Sequence, residues 1–250
     1  MQKIGTICMG MEINMKMRIF SFETEITFSD DYVNVIQIEN HKLFGRLVSS
    51  VYKLSNGIEE GIDEKIILEE NEKILSFSKE TMFIMDFMNF DFSQRKIQNA
   101  LYHYVEQSYD LDYERLDEFE TTFYNLCLDV SDILVELPFE FECKENIEVK
   151  DYLKMIGLKI KQNNYQTILE RILLIIDVVQ NFHLAKVLFF VNIKGFLEEG
   201  EIVELYKYSK YKKIEILLLE SGKEEKNLDY EKILLIDSDY DEIILYNKST

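Results

Sequence analysis

The residues whose types and spacing could do chemistry fall into two basic groups and one acidic group. Lys154, Lys159 and Lys161 form the first basic group. Lys207, Lys210, Lys212 and Lys213 form the second, interleaved with Tyr206, Tyr208 and Tyr211. Such clusters suit contacts to phosphate, which need positive charge but no base-reading geometry. The plain alternative is a solvated helix end whose lysines complement the helix dipole. Glu140, Glu142, Glu145, Glu148 and Asp151 surround a single turn. Calcium takes about six to eight oxygens from a flexible cage, so this density suits it, and a solvated acidic rim is the alternative.

Other patterns are less complete. Asp110-x-Asp112-x-Glu114 and Asp237-x-Asp239-x-Asp241 both open like a calcium loop. Each lacks the glycine at the sixth position and the glutamate at the twelfth, so neither is an EF-hand. Glu140-Phe-Glu142-Cys-Lys144 matches the Glu-x-Lys half of a metal-dependent nuclease site, but no partner aspartate on an adjacent strand can be assigned. His41, His103 and His183 are scattered, and no GxSxG or HExxH is present. Cys8, Cys127 and Cys143 show no CxxC spacing, which argues against zinc and disulfides and for a reduced, cytoplasmic setting.

The elements that must position these groups follow from periodicity. Residues 33–38 read as a strand, and residues 43–54 as a helix with Leu43, Leu47, Val51 and Leu54 on one stripe and Asn40 as N-cap. A nucleotide-binding protein would carry its phosphate loop at this junction. Glu39-Asn-His-Lys-Leu-Phe-Gly45 has neither the glycine spacing nor the Gly-Lys-Ser/Thr ending, which weakens an ATPase reading. Short strands are expected at 66–68, 74–77 and 82–86, with a turn at 79–80. Helices are expected at 94–107 and 111–137, joined at 108–110 as a hairpin, with Pro138 ending the second. Residues 139–143 alternate like a strand, and 147–156 read as a helix stopped by Gly157. From 165 onward the chain reads helix, strand, helix, strand, loop, strand, with apolar runs at 186–192, 214–219, 233–239 and 243–245. Strands apolar on both faces and joined by helices imply a parallel sheet covered on both sides. The fold class is α/β.

Net charge is −19, and residues 101–150 hold fourteen acids against three bases. Binding depends on local potential, so this average leaves room for a basic face elsewhere. No apolar run approaches the ~18–20 residues that span a bilayer, and no secretory h-region precedes residue 17. Regular patterning is expected only from Arg18, which leaves residues 1–16 as an N-terminal extension and Met15 or Met17 as alternative starts.

The order of the pieces resembles a known family. Val35-Ile-Gln-Ile-Glu-Asn-His-Lys-Leu-Phe-Gly-Arg-Leu-Val48 is similar to the opening of the ring-forming CRISPR-associated adaptation subunit of type II-A systems. Residues 82–92 and 97–101, Val149-Lys-Asp-Tyr-Leu-Lys-Met-Ile-Gly-Leu-Lys-Ile160, and the runs at 186–192, 214–220 and 233–240 fall where that family has equivalent pieces. The likeness spans about residues 17–245.

The resemblance implies a nucleotide-kinase-like parallel-sheet head that lacks a phosphate-binding loop, with a helical leg. Head is expected at 17–93 and 137–250 and leg at 94–136, with 163–182 a candidate to pack against the leg. It further implies a protein that is not an enzyme and that acts in CRISPR spacer acquisition, hence antiviral defence, as a calcium-stabilised homotetrameric ring. Its partners would be double-stranded DNA ends without sequence preference, the CRISPR integrase and the RNA-guided effector, with no membrane. Calcium would sit on Glu140, Glu142, Glu145 and Asp151, and DNA on the seven lysines above. A degenerate ATP- or metal-dependent enzyme and a protein-only scaffold are the competing classes.

Overall fold

The computed structural model describes residues 15–142, 144, 146–161, 167–224 and 227–246. Cys8, Cys143, Glu145 and residues 1–14 of the N-terminal extension lie outside the described residues. In chain order the elements are β1 (Met15–Ile19), β2 (Ile26–Thr27), β3 (Val33–Ile38), α1 (His41–Ser55), β4 (Ile66–Glu70), β5 (Lys73–Ile74), α2 (Phe77–Glu80) and β6 (Thr81–Ile84). Then come α3 (Arg95–Asp110), α4 (Tyr113–Leu134), α5 (Val149–Met155) and α6 (Ile168–Asn181). The chain continues with β7 (Val187–Val191), a 3-10 turn (Ile193–Phe196), α7 (Glu199–Tyr211), β8 (Glu215–Ser221), β9 (Glu231–Ile236) and β10 (Glu242–Tyr246). Two compact units result, Met1–Phe90 with Tyr165–Thr250, and Asp91–Asn164.

The first unit is built on a six-stranded sheet in the order β10-β9-β3-β8-β7-β6, parallel except for β10. β3 is central, and all six of its residues are buried. Val35 stands beside Leu218 and Ile233, and Gln37 beside Glu220 and Leu235. The mixed α/β architecture is the expected one, because strands covered on both faces must be apolar on both. One face shares its core with α1 and with a second, antiparallel sheet in the order β2-β1-β4-β5, through Met17, Ile19, Leu47, Leu68, Phe189 and Leu219. On the other face α7 reaches Glu231 of β9 through Tyr206, and Tyr208 Oη ties α7 to α6 by donating to Asp177 at 2.8 Å.

Several local expectations change. Among the described residues, patterned structure is already present at Met15, ahead of Arg18, because Met15, Met17 and Ile19 alternate inward along β1. The strand expected at 74–77 shortens to β5. Phe77 instead opens the four-residue α2 and stacks on Phe189 with ring centres 5.6 Å apart, so its burial outweighs the extended conformation.

In the second unit α3 and α4 form the expected hairpin, turning at residues 111–112, where Asp112 caps α4 by accepting from Arg115 N. The strand expected at 139–143 is absent among the described residues. Residues 135–142 are turns and irregular chain, and no neighbouring strand receives them. α5 ends as predicted at Gly157, whose φ of +65° suits glycine, in a Schellman closure in which Leu158 N donates to Leu153 O and Gly157 N to Lys154 O. α5 belongs to this unit, whereas the sequence leads to the expectation of head from residue 137. The reason lies in its contacts: Gln98 donates to Leu158 O, and Tyr152 meets Phe119 edge-on at 5.4 Å. α6, a candidate to pack with the leg, is counted in the first unit.

Asn40 caps α1 as predicted, its Oδ1 accepting from Lys42 N and Leu43 N at 3.0 Å each. Asn40→Ala should cost about 1 kcal/mol of stability, as loss of such a cap does elsewhere. Urea denaturation of parent and variant checks this.

Candidate nucleic-acid interface

The place where an α/β protein would hold a nucleotide phosphate is the turn from β3 into α1. A helix N-terminus attracts anions when its first amides are free. Here two of them are already taken by Asn40, and Asn40 Nδ2 in turn donates to Tyr240 Oη at 3.1 Å. Acids crowd the same end of the sheet. Glu39 accepts from Ser238 N at 3.1 Å and from Ser238 Oγ at 2.6 Å, and Asp237 Oδ1 accepts the amides of Asp239 and Asp241 at 2.9 Å each. This turn repels a phosphate rather than cradling it.

The lysine groups divide by what they already hold. Lys210 is committed, donating to Glu215 at 2.7 Å and Ser29 O at 2.6 Å. Lys212 lies 2.6 Å from Asp177, which raises its pKa, and sits over the rings of Tyr208 and Tyr211. Lys154 pairs with Asp151 at 3.0 Å. Lys207 is exposed and stacks over Tyr230, 5.4 Å from the ring centre. Lys159, Lys161 and Lys213 are exposed and make no ion pair among the described residues. Lys154, Lys159 and Lys161 lie in the second unit, and the 207–213 group lies in the first.

The acidic set is dispersed. Glu140 and Glu142 are exposed on irregular chain, and Glu145 lies outside the described residues. Asp151 takes Lys144 at 2.9 Å and Lys154 at 3.0 Å. Those two ammonium groups, Lys144 foremost, hold its carboxyl below the usual range, and Asp151 raises Lys144 in return. Among the described residues no three His, Cys, Asp or Glu side chains converge to hold a metal, so the described carboxylates do not form a calcium cage as they stand. The Glu-x-Lys pattern gains no geometry either, since Lys144 is spent on Asp151. Asp110-x-Asp112-x-Glu114 supplies the α4 cap and the Asp112–Arg115 pair at 3.5 Å. His41 and His103 are exposed surface positions, and His183 is the left-handed residue just beyond α6.

Sequence reasoning missed a buried charged cluster around Lys194, Glu220 and Glu231. The available signal was an acid closing the apolar run of β8 and another opening that of β9. Lys194 itself looks like a loop lysine.

Comparison with known proteins now bears on this geometry. Residues 59–240 match the family model Cas_Csn2, CRISPR-associated protein. The chain belongs to the Csn2 family. A curated relative, CRISPR-associated protein Csn2 of Streptococcus agalactiae, is 22% identical over 194 residues, which cover 74% of this chain and 80% of that protein. The crystal structure of Stu0660 of Streptococcus thermophilus superposes with a TM-score of 0.58 at 11% identity, covering 93% of this chain and 76% of that one. Csn2 is also the family that the order of sequence motifs resembles.

The Asp151 ion pairs carry a pH signature. A carboxyl held low in the folded state contributes stability above its unfolded pKa and loses it as pH falls through the folded one. NMR titration should therefore find Asp151 deprotonating below ordinary aspartates. Lys144→Ala should return it toward the ordinary value, and high salt should do the same because the pairs are exposed.

Proposed function

We propose that this Csn2-family chain is a non-enzymatic, sequence-independent binder of double-stranded DNA ends that acts in CRISPR spacer acquisition. Family membership over residues 59–240 is the observation that carries the reading. Two features of the geometry support it. The β3–α1 turn is closed to phosphate by its own cap and by acids, which removes the usual basis for nucleotide chemistry. Exposed lysines that make no ion pair among the described residues offer, on an acidic chain, phosphate contacts without a groove-reading module.

Self-association into a closed ring belongs to the same reading. None of the 22 residues of α4 is buried, and Leu126, Val130 and Ile133 are 58%, 47% and 76% exposed on one stripe. Within that unit a groove of about 290 Å³ is lined by Tyr109, Phe119, Phe123, Leu126, Tyr152 and Met155. Apolar surface of this extent on a helix marks an interaction site, and a second copy is the occupant a symmetric oligomer supplies. The integrase and the RNA-guided effector are the proposed protein partners. Calcium enters only by rearrangement, since Asp151 would have to exchange two lysines for the metal and meet Glu142.

Linear duplex should be retarded in a gel at low salt and released as salt rises, while a closed circle of the same sequence should not be bound. Equal binding of both forms contradicts end recognition, and phosphate release on adding ATP contradicts the non-enzymatic reading. For calcium, the expectation is a raised melting temperature and a shift from monomer toward oligomer in light scattering. Both effects should disappear in the double variant Glu142→Gln, Asp151→Asn. A double variant that responds like the parent places calcium elsewhere.

A further inference from the structure

The C-terminal half of α7 presents aromatic rings to solvent. Lys207 and Tyr211 are four residues apart and both exposed, so they share the outer face of the helix. Tyr211 is 79% exposed, and its ring centre lies 6.4 Å from that of Tyr208. Lys212 sits over both rings, its Nζ 5.2 Å from the centre of Tyr208 and 5.9 Å from that of Tyr211. Asp177 holds this ammonium at 2.6 Å and accepts from Tyr208 Oη at 2.8 Å, which fixes Lys212 and one of the rings. Lys207 in turn reaches over Tyr230, the residue before β9, 5.4 Å from its ring centre. One surface of the first unit therefore carries three tyrosine rings with ammonium groups among them.

Fold requirements do not explain these side chains. Tyr230 has a φ of +67°, in the left-handed region where a bulky residue is an outlier, and its carbonyl accepts from Val33 N at 2.7 Å as β9 starts beside β3. Glycine or asparagine would meet that backbone demand at lower cost. Core packing does not account for the ring either, because Tyr230 is 38% exposed. The helix dipole accounts for lysines in the last turn of α7, but not for Lys207 just before it, nor for any of the tyrosines. Lys207 and Lys213 are exposed and make no ion pair among the described residues, so both charges are open to an anion.

A ligand that satisfies this surface must offer flat π faces to the rings and negative charge to the ammonium groups beside them. A nucleic-acid strand supplies both, and stacking tolerates any base because each has a π face. Inside a duplex those faces are covered by neighbouring base pairs, so unpaired bases are the ones that reach the rings. We infer that Tyr211 and Tyr230, with Lys207 and Lys213, form a stacking surface for unpaired bases, so that a duplex end carrying a short single-stranded extension is held more tightly than a blunt end. This rests on the reading of the chain as a DNA binder given above. Lys212, tied to Asp177, steadies Tyr208 and Tyr211. Lys207 and Lys213 take the flanking phosphates. The exposed contact of Lys207 with Tyr230 is weak enough to be exchanged for a charge-assisted bond to phosphate when a base arrives.

The test measures binding of the full chain, by fluorescence anisotropy, to linear duplexes that share one sequence. One is blunt, one has a short adenine extension, and one has an extension of equal length built from abasic sugar-phosphates. The two extended probes carry the same charge, so counterion release is matched and their difference isolates the bases. The adenine extension should bind at least about fivefold more tightly than the abasic one, the gain that even a weak single stack gives. Tyr211→Leu with Tyr230→Leu should erase that ratio, and Tyr211→Phe with Tyr230→Phe should keep it, because stacking needs the ring and not the hydroxyl. A parent that binds blunt duplex but does not distinguish the two extensions overturns the stacking surface and leaves the DNA reading standing. So does a leucine double variant that keeps the parent's ratio. Displacement of the adenine probe by poly-glutamate as readily as by the same duplex unlabelled assigns the surface to an acidic protein and also overturns it. A chain that binds none of the probes overturns both readings.

Discussion

β3 is hydrogen-bonded on both sides, to β8 and to β9, and all six of its residues are buried. That pairing sets the register of the larger unit. A slip of one residue would move Ile36 and Ile38 out of the core shared with α1 and bring Gln37 into it. It also fixes where α1 begins, because the chain leaves β3 at the carboxyl edge of the sheet and enters the helix within two residues. That edge is where open parallel sheets commonly bind ligands. In this chain Asn40, Glu39 and the Asp237 turn fill it with internal hydrogen bonds. The chain is thus a Csn2-family α/β protein whose β3–α1 turn is occupied by its own hydrogen bonds.

A net charge of −19 and a proposed DNA ligand are reconciled by how the lysines are spent. Lys154, Lys210 and Lys212 neutralise neighbouring acids and contribute to local structure. Lys159, Lys161 and Lys213 are exposed and make no ion pair among the described residues, and Lys207 is exposed over the ring of Tyr230. Local potential rather than the chain average steers a polyanion, so the second set is the one proposed for phosphate contacts. The seven lysines singled out from sequence are thus not equivalent.

Much of the first unit was legible because its signals are local. β3 and its cap, the helix of residues 41–55 and the apolar runs of β7, β8 and β9 announce themselves within a few residues of sequence. The failures are places where a distant partner decides. Phe139-Glu-Phe-Glu142 alternates like a strand, yet among the described residues no strand lies beside it, and alternation alone cannot supply one. Residues 77–80 became helical because Phe77 finds Phe189, more than a hundred residues away. α5 is held by Gln98 and Phe119, contacts invisible to a reading that followed the chain past Pro138. Of the candidate site, the residue types were readable and their commitments were not. Whether Lys159 is free and Lys154 paired depends on where Asp151 points, and the Lys194–Glu231 pair joins residues from separate loops and strands.

The central claim is that free lysines on this Csn2-family chain contact DNA phosphates. The most direct measurement is the slope of log K against log salt for linear duplex, compared between the parent and the triple variant Lys159→Gln, Lys161→Gln, Lys213→Gln. Each lost phosphate contact lowers the slope by about 0.9. The account predicts a slope shallower by about 2 to 3, with weaker binding at low salt. A variant with the parent's slope and affinity would contradict it.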